Sequence, residues 1–223
     1  MPLYVVGTPI GNLEDISPRA LRILREADLV ASEDTRTTRK LLSHYEIRKR
    51  VVAFFQHSSP KRKRELLDRL EEGASIALVT EAGTPGISDP GAALVNDALD
   101  SGVPVIGIPG ASAVATAASI CGFPVDRFVF EGFPPRKPGK RRKMIESWVT
   151  EGRTIVFYES PHRIVSTMEI CAEVLGDRRI CLARELTKMY EETVRTTAAG
   201  ALERFQEKPP RGEFTVIVEG CSS

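Results

Sequence analysis

Short apolar runs punctuate the first half of the chain at regular intervals, separated by polar stretches that carry leucine and alanine at helical spacing. Leu3-Tyr4-Val5-Val6, Leu29-Val30-Ala31, Val51-Val52-Ala53-Phe54-Phe55, Ser75-Ile76-Ala77-Leu78-Val79 and Val105-Ile106-Gly107-Ile108 read as five strands. Ser17-Pro18 and Ser59-Pro60 each set a capping hydroxyl before a proline at the first helical position, ahead of Ala20-Leu21-Ile23-Leu24 and Leu66-Leu67-Leu70. Gly73 reads as the stop of the second of these helices, and a helix of small residues runs from Ala113 to Ile120. Strand, glycine loop and helix in alternation predict a mainly parallel five-stranded sheet with helices on both faces over residues 1–122.

Around Cys121-Gly122-Phe123-Pro124 the rhythm changes, which places a domain boundary there and a second domain at 123–223. Strands are expected at Arg127 to Phe133, Thr154 to Tyr158, Ile180 to Ala183, Glu192 to Thr196 and Phe214 to Val218. Helices are expected near Lys140 to Thr150, Pro161 to Leu175 and Ala198 to Lys208. Together these predict a mixed sheet with helices packed on it, and so a chain of two α/β domains.

Three of the strands in the first half run straight into loops of glycine, proline and small hydroxyls. These are G-T-P-I-G-N at Gly7 to Asn12, T-E-A-G-T-P-G-I-S-D-P-G at Thr80 to Gly91, and P-G-A-S-A at Pro109 to Ala113. Glycine lets a main chain approach a ligand closely, and proline stiffens the turn. In open α/β sheets ligands sit at the carboxyl ends of strands, where all three loops belong. None spells G-x-G-x-x-G or G-x-x-x-x-G-K-[ST], so a neutral or zwitterionic ligand held by main-chain groups fits better than a dinucleotide or triphosphate.

Composition narrows the class. Hydrophobic residues make up 42% and charged residues 27% of the 223 positions, and no apolar run approaches the roughly 20 residues of a membrane helix. With no basic-then-apolar leader at Met1-Pro2-Leu3-Tyr4, a cytoplasmic location is the expectation. The four cysteines stand far apart and the three histidines (His44, His57 and His162) lack ligand spacing, so no metal site is expected and the thiols read as buried. Net charge is only +1, yet basic residues cluster at Lys61 to Arg64 and, without any acid, at Arg136, Lys137, Lys140, Arg141, Arg142 and Lys143. A solvated face explains either cluster, and the second also suits contact with a polyanion backbone.

The ordered motifs G-T-P-I-G-N, S-E-D-T-R-T-T at Ser32 to Thr38, A-G-T-P-G-I-S-D-P-G, P-G-A-S-A, F-Y-E-S-P-H-R at Phe157 to Arg163, A-R-E-L-T-K at Ala183 to Lys188 and R-G-E-F-T-V-I-V-E-G at Arg211 to Gly220 carry a resemblance that spans nearly the whole chain. It resembles the bacterial ribosomal RNA small subunit methyltransferase I family, a branch of the tetrapyrrole methylase superfamily. One departure is Thr80-Glu81, where the family commonly has Ser-Asp. The resemblance implies methyl transfer from S-adenosylmethionine to the ribose 2′-hydroxyl of a cytidine in the decoding region of 16S rRNA, within the small ribosomal subunit. It also implies a class III methyltransferase fold, a cofactor cleft between the two domains, and a homodimer. Carried over by motif, the cofactor contacts are Pro9, Ile10, Ala82, Gly83, Thr84, Ile87, Ser112 and Ala113, with Tyr158, Glu159 and Leu186 from the second domain.

Methyl transfer from a sulfonium is an in-line displacement, so positioning supplies much of the rate, and a base that takes the hydroxyl proton adds to it. Glu33, Asp34 and Arg36 follow one strand, and Glu185 and Lys188 another. Asp34 or Glu185 is the expected proton acceptor, and Lys188 would serve only with a lowered pKa. For Asp34 and Arg36 a helix-capping acid paired with an arginine is equally open, and a structural role is equally open for Glu185 and Lys188. Arg36, Lys188, His162 and Arg163 are expected to hold RNA near the methyl group, with a capping or packing role also open for His162. Two rival readings share the features: a tetrapyrrole C-methyltransferase, and a non-catalytic RNA-binding module that senses the cofactor.

Overall fold

The computed structural model describes residues 1–55 and 58–221, so His57 lies outside the described residues. The chain divides into two compact units, Met1–Ser112 and Ala113–Ser223.

The first unit follows the alternation in the sequence: β1 (Leu3–Val6), α1 (Pro18–Glu26), β2 (Leu29–Ser32), α2 (Thr35–His44), β3 (Val51–Ala53), α3 (Pro60–Glu71), β4 (Ile76–Val79), α4 (Ala92–Asp100) and β5 (Val105–Ile108). All five strands are parallel, in the order β3-β2-β4-β1-β5. Strand period decides the faces. Ile76 and Leu78 of β4 join Leu3, Leu29 and Ala31 against α3 and α4, while Ala77 and Val79 join Val6 and Val30 against α1 and α2. The hydroxyls of Ser17 and Ser59 accept from Ala20 N and Arg62 N, the two caps that the serine-proline pairs predicted. From β1 the chain crosses toward β2, and from β4 it crosses the other way toward β5. The loops after β1 and β4 therefore flank the point where the sheet reverses its winding, the usual ligand position in such sheets.

The second unit contains α5 (Ala113–Ile120), β6 (Phe128–Phe130), α6 (Pro138–Ser147), β7 (Thr154–Glu159), α7 (Ile164–Leu175), β8 (Arg179–Arg184), β9 (Glu192–Thr197), α8 (Ala198–Glu207) and β10 (Phe214–Val218). Its sheet is mixed, in the order β6-β7-β10-β8-β9, with only the β6–β7 pair parallel. Ile155, Phe157, Ile180, Leu182, Val216 and Val218 face α6, α7 and α8 across a core that holds Trp148 and Met168. Helix α5 lies against β7 and β10, with Val114, Ala117 and Ala118 buried. It belongs to the second unit, so the division falls at 112/113, ahead of the 122/123 junction expected from the sequence. Small side chains let this helix approach its sheet closely, and the change of rhythm after residue 121 does not report that packing.

Candidate functional site

The three glycine-rich loops of the first unit converge. Thr8 N donates to Gly83 O at 2.9 Å and Gly83 N returns the bond to Thr8 O at 3.2 Å, so the loop after β1 is laced to the loop after β4. The buried Thr8 hydroxyl also donates to Gly83 O, at 3.3 Å. The loop after β5 closes the group through Gly110, whose main chain lies so near Gly7 that a Cβ on Gly7 would stand 2.8 Å from Gly110 Cα. Only glycine on both sides permits this approach. Ile10 packs toward Gly83, and Ala82 and Ile87 are exposed on the rim. The residues expected to hold the cofactor in this unit thus share one strand-end surface, with Ser112 and Ala113 where the third loop enters α5.

Carboxylates border that surface. Asp89, half-buried at the end of the second loop, is pushed up to about 6 by burial and by the charge of Glu33, with Glu81 adding to it and a Thr80 hydroxyl bond opposing. Glu33 is itself raised by burial and by Glu81 and Asp34. Asp89 was not singled out by sequence reasoning. The signal was its place in the S-D-P-G segment, but its partner Glu33 arrives from another strand.

The two acids favoured from the sequence are otherwise engaged. Asp34 is the N-cap of α2: its carboxylate accepts from Arg36 N at 2.7 Å and Thr37 N at 3.4 Å, and these bonds, led by the first, hold its pKa down. The Arg36 guanidinium pairs with it at 3.4 Å and remains largely open to solvent. In the second unit, Glu185 accepts from Glu213 N and from Lys188 Nζ, both at 3.0 Å, and Lys188 also pairs with Glu213 at 2.7 Å. Burial raises Glu185, yet these bonds outweigh it and its pKa falls. Burial likewise depresses Lys188, but its hydrogen bonds to Glu213 and Glu185 prevail and raise it, the opposite of what a lysine base needs. Glu185 and Thr187 both have positive φ (51° and 67°), and a Cβ at Gly212 would collide with the Glu185 side chain. Backbone strain is thus gathered in one loop, which the absence of a side chain at Gly212 accommodates. Leu186, between the two strained residues, is buried.

Of the remaining second-unit candidates, Tyr158 lies between Phe130 and Phe133, with ring centroids 5.1 and 5.3 Å away. The Glu159 carboxylate is buried and accepts from Thr167 Oγ1 at 2.7 Å and Ser160 N at 2.9 Å, with Arg163 beside it at 3.3 Å. Arg163 donates to the carbonyls of Pro134 and Pro135. It therefore ties the start of the basic segment to the sheet, while His162 stands exposed next to it. Within the segment the side chains split. Arg141 is buried and donates to Ser166 at 3.0 Å, and Arg142 pairs with Glu173. Arg136, Lys137, Lys140 and Lys143 are exposed, with no acidic partner among the described residues. Of the six basic residues expected to meet a polyanion, these four stand open to solvent, while the helical turn of α6 points Arg141 inward and sets Arg142 against α7.

Three of the four cysteines are buried, and burial pushes the Cys171 and Cys181 thiols up to about 12 and about 11, which keeps them unreactive. Among the described residues no helix is long and apolar enough to cross a membrane.

The model of the Tetrapyrrole (Corrin/Porphyrin) Methylases family matches residues 2–202. Ribosomal RNA small subunit methyltransferase I of Thermotoga maritima is 48% identical over 219 residues, which span 98% of each chain. The Bacillus subtilis protein of that name is 43% identical over 221 residues, 99% of this chain and 76% of the relative. Among solved structures, a diphthine synthase superposes with a TM-score of 0.75 at 18% identity, covering 99% of this chain and 90% of that one. A uroporphyrin-III-C-methyltransferase from Thermus thermophilus gives 0.67 at 18% identity, covering 97% and 93%. At such identities these structures speak for the fold alone. The family match and the full-length relatives place the chain: it belongs to the tetrapyrrole methylases and, within them, to the ribosomal RNA small subunit methyltransferase I family.

Proposed function

We propose that this protein methylates the ribose 2′-hydroxyl of a cytidine in the decoding region of 16S rRNA, in the small ribosomal subunit, with S-adenosylmethionine as donor. The observation that carries the reading is the laced trio of strand-end loops, in a chain 43–48% identical to full-length relatives named for small-subunit rRNA methylation. The residues fit the cofactor. A cradle closed to any Cβ at Gly7 and Gly110 offers main-chain groups, and the carboxylates of Glu33, Glu81 and Asp89 favour a ligand that carries positive charge.

When bound, S-adenosylmethionine supplies a methyl group on a cationic sulfur, which the hydroxyl oxygen displaces in line. Pro9, Ile10, Ala82, Gly83, Thr84, Ile87, Ser112 and Ala113 position the donor, and Tyr158, Glu159 and Leu186 are contacts that the resemblance alone implies. Asp89 replaces Asp34 and Glu185 as proton acceptor: ionised at neutral pH yet with a pKa near 6, it takes the ribose proton more readily than an ordinary aspartate. Lys188 with Glu185 shapes the strained loop, and Arg36, Arg136, Lys137, Lys140, Lys143 and His162 meet the RNA.

Incubation with methyl-labelled S-adenosylmethionine and either small subunits lacking native methylation or a tetrapyrrole precursor tests the assignment. Label on a decoding-region ribose is the expected result, and label confined to the macrocycle would overturn the substrate. A homodimer and a cytoplasmic location remain parts of the proposal, supported by the family.

A further inference from the structure

The second unit contains a cavity of about 310 Å³ that the proposed chemistry leaves unused. It lies beside the strained loop, since Arg184 and Arg211 of its wall are the chain neighbours of Glu185 and Gly212. Its floor is apolar: Phe205 and Phe214 meet edge to face at 5.9 Å, with Leu182 and Val194 in the same wall. Its rim is cationic, with Arg184, Arg204, Lys208 and Arg211 set against a single carboxylate, Glu192. Glu192 accepts from both Arg184 and Arg204, and Arg184 also reaches Arg211 O at 3.4 Å, so two guanidiniums are held in fixed places. Lys208 and Arg211 are exposed and have no acidic partner among the described residues.

We infer that this cavity binds a nucleotide, with the base against Phe205, which the buried Phe214 braces edge to face, and the phosphate on Lys208 and Arg211. An apolar wall and cations on one rim match a molecule that joins a flat π-face to an anion, and bases stack on aromatic side chains with little regard to sequence. The cavity has the volume of a small-ligand site. The nucleotide belongs to the substrate RNA strand, which makes the cavity an anchoring site apart from the residues assigned to methyl transfer. This part rests on the reading of the chain as an RNA methyltransferase.

The test uses Lys208→Glu, Arg211→Glu and Val194→Trp, the last filling the cavity without changing its charge. Fluorescence anisotropy with a labelled single-stranded oligoribonucleotide, calorimetry with 5′-AMP, and steady-state methylation of unmethylated small subunits are measured for each variant and for wild type. Each charge reversal is expected to weaken the oligoribonucleotide by roughly tenfold, to lower the salt slope by about one, and to raise KM for subunits while kcat stays within about twofold. Val194→Trp is expected to weaken RNA and 5′-AMP alike with the salt slope unchanged. Unaltered RNA affinity and KM in all three variants, beside an active wild type, would overturn the inference. Weakened 5′-AMP with unaltered RNA would make the ligand a free nucleotide and overturn the RNA source. A wild type that labels no RNA would instead overturn the reading of function on which that source rests.

Discussion

At the scale of single residues, Asp89 and the Gly7–Gly110 pair bear the sharpest consequences. Asp89 has a folded-state pKa of about 6 against an ordinary value of 3.8, so its ionisation opposes folding. That penalty is absent below pH 3.8, grows as pH rises through 6, and is constant above. Asp89→Asn is therefore expected to raise stability at pH 7.5 by about 1 kcal/mol, after allowance for its partial exposure, and to lower kcat by roughly 10²- to 10⁴-fold. Thermal melts and single-turnover methylation check both, and a variant with wild-type turnover would remove Asp89 from the chemistry. In the wild type, kcat should rise with pH through about 6. Gly7→Ala places a methyl 2.8 Å from Gly110 Cα. The expected cost is about 1–3 kcal/mol of stability and at least tenfold in S-adenosylmethionine affinity, measurable by calorimetry. The Thr80–Gly91 loop was legible from its composition, but the perturbation of Asp89 was not, because it depends on a carboxylate 56 positions earlier that the sheet brings alongside.

Among elements, caps and turns followed local chemistry, whereas the loyalties of charged side chains did not. Ser17 and Ser59 announced their helices because a cap needs only neighbours along the chain. Asp34 was open between base and cap, and the structure shows it as the cap of α2. Asp34→Asn, which retains an acceptor, should keep both the melting temperature and turnover near wild type, while Asp34→Ala should cost about 1 kcal/mol, or a few degrees, with the chemistry preserved. A large loss of kcat in Asp34→Asn at unchanged stability would return Asp34 to the catalytic list. The basic string R-K-P-G-K-R-R-K read as one patch, but a helix turns each residue by about 100°, so Arg141 points inward to Ser166 and Arg142 pairs with Glu173. Lys137→Glu with Lys140→Glu should weaken RNA binding and lower its salt slope by about two or more with little change in melting temperature. Arg141→Ala should do the reverse, losing stability with the slope intact. Equal effects of the two on the slope would refute the division.

For the whole molecule, hydrophobic period and loop composition determined a great deal, namely two α/β sheets, the glycine-rich strand-end loops and the helix starts, while the ordered motifs carried the family resemblance. All are written in short-range pattern, because strand period, capping and glycine turns are properties of a few consecutive residues. Only the tertiary structure decided the order β3-β2-β4-β1-β5, the lacing of Thr8 to Gly83, the membership of α5 in the second unit and the cavity beside Arg184. It also decided which carboxylate is perturbed and which are spent on caps and ion pairs. Burial, electrostatic coupling and close backbone approach depend on distances between residues remote in sequence, and folding alone sets those distances.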